Sequence, residues 1–500
     1  MADDLLHEVL RAARDHGPAP ALTGAHGPTL TYRDLSEKIL GTAHRLRHKG
    51  FRPGTRMLFS VRPGPDAIVL ALGTVAAGGT VVFIDPGVGP ELFAGRLDLA
   101  GPGWAAAESL LYAASAPGPL RALARRRGVL LPDYAALPLR HIRSGPWLPG
   151  TPLRAISTRR LARPVPGATT PDPDPDQDAV VVFTSGTTAA PKAVVHTRGS
   201  LGAALRALAT RCALGPDTRV HTDQMMLGLP ALVAGAHWTM PPHGFAPSAD
   251  PAALAAGLAG ATHTFLVPAD LAAILDSGVT LPHSLRQVLL GSAPVLPPLL
   301  TRAQRALPEV ELLAVYGMTE ILPVAIATAD EKIVHGGDLL GRPLPGVTAR
   351  IAHDGELRVS GPNLCRGYLG EAPLTEHATG DLARLDGDRL VLTGRKKDMI
   401  LRGRTNIYPG LHEPAIAGLP GVAAAIMVGV PDEIGDERIV LVLTALPDAG
   451  PGLADRTRTA LPGLIDASAL PDRIVVVDEL PVTGRLRKVD RAALRARFTP

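Results

Sequence analysis

The chain contains few cysteines, few aromatic residues and few lysines. The two cysteines among its 500 residues, Cys212 and Cys365, are too few for a disulfide framework, and no CxxC metal-binding spacing occurs. Aromatic residues make up 3% of the chain, which disfavours stacking platforms for single-stranded nucleic acid. The net charge is only +4 and there is no long basic run, so the sequence predicts no nucleic-acid partner.

Long hydrophobic segments are also missing. The N-terminus lacks a basic stretch followed by an apolar one, so no signal peptide is expected. One uncharged run, residues 67–84, approaches the length of a membrane span, but it contains Gly73, Gly78 and Gly79. These glycines favour a helix, a turn and a strand instead. We therefore expect a soluble, cytoplasmic protein with no membrane insertion.

The length and the periodicity of the sequence are those of a multidomain α/β protein. Hydrophobic residues make up 46% of the chain, enough for a large core and for roughly two to four domains or subdomains. Apolar strand-like segments alternate with helical ones over 1–397, which predicts βαβ units and a largely parallel sheet. A small domain of roughly one hundred residues is expected over 398–500.

An acidic, proline-rich connector is predicted within the large domain, near 164–178. Its prolines cannot join a sheet ladder, and its aspartates repel one another, so we expect a solvated link between subdomains. Metal binding by these aspartates is the less favoured alternative, because alternating prolines keep the carboxylates apart.

The most informative stretch is a loop of hydroxyl residues directly behind an apolar strand. Residues 179–183 read Ala-Val-Val-Val-Phe, and Thr-Ser-Gly-Thr-Thr-Ala-Ala-Pro-Lys follows over 184–192. The hydroxyls and backbone N–H groups of such a loop suit a polyphosphate, with the lysine as a point charge. The spacing differs from that of a Walker A loop, and a turn that binds no ligand is the alternative. The candidate phosphate-binding residues are Thr184, Ser185, Gly186, Thr187, Thr188 and Lys192.

Two further strands end in small, flexible residues. The first is followed by Gly-Ser-Ala-Pro over 291–294, and the second ends in Val-Tyr-Gly-Met-Thr-Glu over 315–320. Open α/β sheets bind ligands at the carboxyl ends of their strands, so a ligand is expected there. For the Thr-Glu pair, a helix cap is the alternative. The candidate ligand-binding residues are Gly291, Ser292, Ala293, Pro294, Val315, Tyr316, Gly317, Met318, Thr319 and Glu320.

These motifs and their order resemble those of the adenylate-forming superfamily of acyl- and aryl-CoA synthetases, peptide-synthetase adenylation domains and luciferases. The loop at 184–192 resembles that family's phosphate-binding signature, and residues 316–320 resemble its adenine and metal motif. Thr-Gly-Asp at 379–381 and Gly-Arg-Lys-Lys-Asp at 394–398 resemble its ribose and hinge motifs. The resemblance covers nearly the whole chain. It implies ATP and Mg²⁺ as cofactors and a small α+β C-terminal domain that is mobile.

The resemblance also implies roles for single residues in the large domain. Tyr316 would flank adenine, Thr319 would meet the α-phosphate, and Glu320 would hold Mg²⁺. Asp381 and Arg395 would contact the ribose.

In the small domain, the resemblance implies a hinge at Asp398 and a catalytic cation at Lys488, within a terminal motif that has one extra residue after Pro481. A cation at the reacting phosphorus would stabilise charge that develops there. Lysine is rare in this chain, seven of 51 basic residues, and it is expected where a compact, flexible ammonium is needed. Chance within a compositional bias is the alternative.

The chain departs from the family's pattern at Ala189 and Ala193, where glycine is usual. These two alanines and the altered terminal motif support a non-enzyme alternative, a nucleotide-binding relic with a regulatory or scaffolding role. The lysines and carboxylates retained in the motifs argue against it.

The segment that lines the acyl pocket in members of the family contains Gln224, Met225, Met226 and Gly228 here. Methionine fills irregular apolar space, so an apolar or adaptable acid is expected. Ordinary core packing is the alternative.

The expected reaction is ATP-dependent activation of a small-molecule carboxylic acid as acyl-AMP, with release of pyrophosphate. The expected acceptor is a thiol, from CoA or from a carrier protein's phosphopantetheine. Residues 84–89 and 316–324 resemble β-lactone synthetases, in which the substrate's own β-hydroxyl attacks the adenylate. Amide ligation and nitrite activation for diazo formation are further alternatives.

Overall fold

A computed structural model describes residues 4–87, 90–126, 131–183, 192–335, 338–402, 405–407, 409–431, 437–462, 464–465, 469–483 and 488–499. The helices of this part of the chain are α1 Leu5–Asp15, α2 Tyr32–His48, α3 Pro65–Ala76, α4 Pro90–Ala100, α5 Ser109–Ser115, α6 Pro119–Arg126, α7 Thr158–Leu161, α8 Arg198–Arg211, α9 Met225–Val233, α10 Pro251–Gly257, α11 Pro268–Ser277, α12 Pro297–Ala306, α13 Ala329–His335, α14 Pro409–Ala417, α15 Leu453–Ala460 and α16 Arg491–Phe498. Its strands are β1 Pro20–Thr23, β2 Leu30–Thr31, β3 Arg56–Ser60, β4 Thr80–Phe83, β5 Trp104–Glu108, β6 Arg140–Ser144, β7 Ile156–Ser157, β8 Asp178–Phe183, β9 Ala193–Thr197, β10 Arg219–His221, β11 His237–Thr239, β12 His263–Leu266, β13 Gln287–Leu290, β14 Glu311–Met318, β15 Ile321–Thr328, β16 Asp338–Pro343, β17 Thr348–Ile351, β18 Glu356–Ser360, β19 Gly367–Tyr368, β20 His377–Asp386, β21 Arg389–Arg395, β22 Ile400–Arg402, β23 Thr405–Ile407, β24 Val422–Pro431, β25 Glu437–Ala445, β26 Arg473–Val476, β27 Val482–Thr483 and β28 Lys488–Val489.

Two mixed sheets build the large N-terminal domain. The first has eight strands in the order β19-β9-β8-β4-β3-β5-β6-β7, parallel from β8 to β7. The second has thirteen, in the order β17-β18-β20-β21-β16-β15-β14-β13-β12-β10-β11-β1-β2. Its central strands β10, β12, β13 and β14 are parallel. Beyond β14, the strands β15, β16, β21, β20, β18 and β17 follow in that order as antiparallel neighbours. The expected α/β class is confirmed, with mixed rather than purely parallel sheets.

The uncharged run at 67–84 forms α3, a glycine turn and β4, as its glycines predict. Gly78 takes a positive φ of 91°, and a side chain on Gly79 would meet the Phe51 ring at 2.4 Å. A larger residue at Gly78 would strain the backbone, and one at Gly79 would displace the Phe51 ring, so glycine fits both positions best. Every helix in the described ranges is too short or too polar to cross a membrane.

The N-terminal helix is held to the large domain by a buried ion pair. Asp4 accepts from the backbone N–H of His7 and so caps α1. The same carboxylate pairs with Arg198 at the start of α8, at 2.7 Å and 3.1 Å. Both side chains are at most 2% exposed, so each charge depends on the other for compensation.

Most residues of the acidic connector at 164–178 are exposed, and hydrogen bonds fasten it at several points. The backbone N–H of Asp174 donates to Asp4, and the carbonyl of Asp172 accepts from Arg198. The expectation that the whole stretch stays out of the sheets is wrong at its last residue. Asp178 begins β8 and pairs with Thr197 of β9, because no proline follows it.

The small C-terminal domain has its own sheets and core. β24, β25 and β26 form a three-stranded sheet, with two-stranded pairs β22-β23 and β27-β28 beside it. Helix α14 packs on β24, and the core includes Ile416, Met427 and Leu441.

Candidate active site

Asp381 lies at the centre of the expected ribose site. It stands directly across from Arg395 in the β20–β21 ladder, so both side chains are on the same face. The Arg395 Nε lies 2.8 Å from one carboxylate oxygen, and the Tyr316 hydroxyl donates to the other over 2.7 Å. Two acceptor positions on the carboxylate remain for hydroxyl groups of a ligand.

Tyr316 is a neutral hydrogen-bond donor in this arrangement. Burial and the neighbouring Asp381 carboxylate raise the pKa of Tyr316 well above its ordinary value. The Tyr316 side chain therefore lies beside the Asp381 carboxylate as a fixed, uncharged group.

The small-residue turn at 291–294 has one strained position. Ser292 adopts a φ of 67°, in the left-handed region that side chains seldom occupy. A Cβ on Gly291 would lie 3.4 Å from the Phe265 ring and from the Val315 carbonyl oxygen. Such strain is commonly found where backbone approaches a ligand. The structure brings this turn next to β14 through the β13–β14 pairing.

Thr319 and Glu320 form the turn of a tight hairpin between β14 and β15. Met318 pairs with Ile321, so these two residues alone connect the strands. The helix-cap alternative for this pair is therefore wrong, because no helix follows. A side chain on Gly317 would meet Leu322 at 2.4 Å, which explains the glycine there.

The carboxylate of Glu320 is connected to Lys192 through one tyrosine. The Tyr368 hydroxyl donates to Glu320 over 2.9 Å, and the Lys192 ammonium lies 5.1 Å from the centre of the Tyr368 ring. Tyr368 ends the stretch Gly-Pro-Asn-Leu-Cys-Arg-Gly-Tyr at 361–368, and the sequence alone does not reveal its partners. The other loop candidates, Thr184, Ser185, Gly186, Thr187 and Thr188, lie outside the described residues.

The pairing of β19 with β9 explains why Tyr368 reaches both groups. Tyr368 stands opposite Val194, two residues after Lys192. The backbone N–H of Cys365 donates to the Glu320 carbonyl over 2.8 Å. One short segment thus contacts both the strand behind the phosphate loop and the hairpin turn.

Two histidines beside this turn were not anticipated from the sequence. His196 donates through Nε2 to the Thr319 carbonyl over 2.7 Å, and burial lowers its pKa. Burial also lowers the pKa of His377, although Glu320 acts in the opposite direction. Both imidazoles are therefore uncharged at neutral pH.

The hinge candidate Asp398 ends a short 3₁₀ turn, Lys396–Asp398. Its carboxylate lies 3.5 Å from Arg491, which also pairs with Glu413 at 2.6 Å. Close by, a Cβ on Gly410 of α14 would lie 3.1 Å from the Gly394 Cα of β21. The large and small domains thus meet here through glycine backbone.

Lys488 is exposed at the start of β28, opposite Thr483 of β27. It is three residues before Arg491, the residue that contacts Asp398. The catalytic role of Lys488 stays a prediction.

The four acyl-pocket candidates have different surroundings. Gln224 is exposed, and Met225 and Met226 are partly buried against the core. Gly228 is buried, and a Cβ there would lie 2.0 Å from the Trp238 ring. Close packing explains the glycine, and a pocket-lining role stays a prediction.

The described residues include no cluster of three His, Cys, Asp or Glu side chains that could hold a metal unaided. Glu320 nevertheless fits Mg²⁺, which usually takes one or two carboxylates and fills its other positions with phosphate oxygens and water.

Comparison with known proteins identifies the family. The model of the AMP-binding enzyme family matches residues 9–369, and that of the AMP-binding enzyme C-terminal domain matches 412–485. The chain belongs to the AMP-binding enzymes. This is a family of adenylate-forming ligases, and the arrangement of a large and a small domain agrees with its solved structures.

Several AMP-binding enzymes resemble the chain along most of its length. It is 29% identical to the fatty acid–[acyl-carrier-protein] ligase ScoC of Streptomyces coeruleorubidus, over 97% of this chain and 94% of that protein. It is 32% identical to the indoleacetate–CoA ligase of Aromatoleum aromaticum, over 66% of this chain and 69% of that protein. The solved amide bond synthetase McbA of Marinactinospora thermotolerans superimposes with a TM-score of 0.80 at 26% identity, covering 99% of this chain and all of that one.

Proposed function

We propose that this AMP-binding enzyme activates a carboxylic acid with ATP as an acyl-adenylate, releases pyrophosphate, and transfers the acyl group to a thiol. The observation that carries the proposal is the connection of Lys192 to Glu320 through Tyr368. This connection places the Lys192 ammonium, at the end of the hydroxyl loop, near the Glu320 carboxylate that would hold Mg²⁺. Binding of a polyphosphate requires both positive charges at one place.

The chain's own residues hold the nucleotide in this proposal. Asp381 accepts hydrogen bonds from the ribose hydroxyls, and Arg395 and Tyr316 fix the direction of its carboxylate. The turn at 291–294 and the Tyr316 ring enclose the adenine. Mg²⁺ held at Glu320 would supply a positive charge that offsets the phosphate oxygens.

Lys488 supplies the catalytic cation in this proposal. The acid and the triphosphate are both anions, so bringing them together requires positive charge at the α-phosphate. Rotation about Asp398, at the proposed boundary between 1–397 and 398–500, would move Lys488 toward and away from the site. The contact of Arg491 with Asp398 connects the hinge to the segment that contains the lysine.

A thiol acceptor is supported by the likeness to a carrier-protein ligase and to a CoA ligase. An amine acceptor is the second candidate, favoured by the likeness to an amide bond synthetase. The motif likeness at 84–89 and 316–324 makes intramolecular β-lactone closure a further outcome to measure.

The test is AMP and pyrophosphate release on a panel of fatty, aromatic and β-hydroxy acids, with CoA, a phosphopantetheinylated carrier protein, an amine or no acceptor. We expect acid-dependent AMP formation that turns over with a thiol. Lys488→Ala should slow adenylation by about 10²-fold or more. Lys49→Ala, which removes an exposed lysine of the large domain, is the matched control. If no acid gives AMP under any condition, the carboxylate-activating function is wrong.

A further inference from the structure

The positive charge of the chain is concentrated in one segment. Residues 109–163, which we call the arginine-rich segment, contain ten arginines, no lysine and one carboxylate, Asp133. With His141 neutral, its net charge is 10 − 1 = +9, so the rest of the chain has a net charge of 4 − 9 = −5. Such asymmetry is typical of a protein that binds an anionic surface.

The fold places this segment at one edge of the eight-stranded sheet. It comprises α5 and α6, the last strands β6 and β7, the loop at 145–155 and α7. A Cβ on Gly150 of the loop would touch Ala113 and Ala116, so the loop lies on α5 and its immediate continuation. Helix α7 follows β7 directly.

The arginines of this edge are not neutralised by the protein. Among the side chains that the structure describes there, none forms an ion pair with a carboxylate, whereas arginines elsewhere pair repeatedly. Those at this edge are Arg121, Arg140, Arg143, Arg154, Arg159, Arg160 and Arg163. Arg140, Arg154, Arg159, Arg160 and Arg163 are exposed.

Several apolar side chains of the same segment are also exposed. Leu153 is 89% exposed and directly precedes Arg154, while Trp147 in the same loop is 47% exposed. Leu120 and Leu123 of α6 are about equally exposed, at 47% and 46%. Exposed leucine, tryptophan and arginine side chains within one segment are typical of segments that lie in the headgroup region of a bilayer.

The edge is remote from the nucleotide site. Strand β7 is five positions from β8 in the sheet, which corresponds to about 24 Å at the usual strand spacing. A ligand at this edge would therefore bind independently of the residues that hold ATP.

We propose that the arginine-rich segment docks the enzyme on an anionic membrane surface, with the arginines facing lipid phosphates and Leu153 and Trp147 inserted among the headgroups. Nucleic acid would use the arginines but not the protruding leucines. Binding hot spots for a protein partner cluster in well-packed pockets, whereas these side chains stand apart on separate elements.

The test is flotation of the full-length enzyme with vesicles of phosphatidylcholine alone or of an equimolar mixture with phosphatidylglycerol. We expect binding only to the anionic vesicles, and release by salt. Changing Arg154, Arg159, Arg160 and Arg163 together to glutamine should lower the bound fraction at least about tenfold. Leu153→Ser with Trp147→Ser should also weaken binding.

The matched control changes Arg14, Arg305, Arg438 and Arg458 to glutamine. These exposed arginines lie outside the edge, and both fourfold variants have a net charge of 4 − 4 = 0. The control should keep vesicle binding, and circular dichroism should show both variants folded. The proposal is overturned if the wild type does not float or if both variants lose binding equally. Edge-dependent binding to RNA or to an acidic carrier protein, without vesicle binding, would also overturn it.

Discussion

Tyr368 donates its hydroxyl hydrogen to Glu320 over 2.9 Å while its ring lies under the Lys192 ammonium. The tyrosine therefore positions two charged groups without carrying charge itself. Burial and Glu320 raise the pKa of Tyr368, so the hydroxyl is protonated at neutral pH.

Tyr368→Phe should weaken the response to Mg²⁺ more than it slows the saturated rate. Removing the hydroxyl leaves the Glu320 carboxylate without its fixed partner but keeps the ring beside Lys192. Hydrogen bonds to charged groups contribute about 1.5–3 kcal/mol, so the Mg²⁺ concentration for half-maximal rate should rise by at least about tenfold. Tyr368→Ala, which also removes the ring, should have a larger effect. An unchanged Mg²⁺ dependence with a lower kcat would contradict the positioning role.

Asp381→Asn should impair ATP use strongly. The amide keeps the shape of the carboxylate but accepts only weakly from Arg395, Tyr316 and a ribose. Loss of charge-assisted bonds of this kind predicts a fall of about 10²-fold in kcat/KM for ATP. Steady-state kinetics with ATP and 2′-deoxy-ATP provide the measurement. If the substitution lowers kcat/KM by the same factor with ATP and with 2′-deoxy-ATP, the side chain at position 381 does not interact with the 2′-hydroxyl, and the ribose role is contradicted.

Stability should fall as the pH drops from 7.5 to 5. Burial lowers the pKa of His221 to about 4, below its unfolded value near 6.5, so the folded state binds fewer protons in this window. The stabilisation from neutral His221 is complete above the pKa of the unfolded state, and it is lost as the pH falls toward the pKa of the folded state. His221 alone should account for about 2 kcal/mol of the unfolding free energy between these two pH values. Urea denaturation should show a shallower pH dependence for His221→Gln. The exposed His283→Gln should behave as wild type.

The buried pair of Asp4 and Arg198 should be sensitive to removal of one partner. Arg198→Met leaves an uncompensated carboxylate that is 1% exposed, which predicts a loss of about 3–5 kcal/mol. Asp4→Leu combined with Arg198→Met should recover part of that loss, because no charge then stays buried. The control Arg302→Gln breaks the exposed pair with Asp276 and should cost less than about 1 kcal/mol. Equal effects of the two single variants on the denaturation midpoint would contradict the argument.

Local patterns in the sequence were sufficient for the α/β class and for some of the helices and strands, because such elements depend on neighbouring residues. The run at 67–84 and the Tyr-Gly-Met-Thr-Glu stretch are examples. Contacts between residues that are far apart in the sequence could not be predicted from it. Nothing near Tyr368 in the sequence indicates that it meets both Lys192 and Glu320, and nothing near Asp4 indicates Arg198.

The net charge of the whole chain also hides the uneven distribution of charge over its surface. A net charge of +4 suggested an electrostatically ordinary protein. The sheet order gathers the arginines at one edge, where the described side chains find no carboxylate to pair with. Counting charge segment by segment would have revealed this asymmetry, but it would not have shown that the arginine side chains are exposed.

The contact of Gly410 with Gly394 has a mechanical consequence. Two backbones that touch without side chains have nothing to interdigitate, so one can slide over the other without any rotamer having to change. The same contact is stiff against compression, since neither chain can yield toward the other. A methyl group added at Gly410 would act as a wedge and would bias the small domain toward a single orientation.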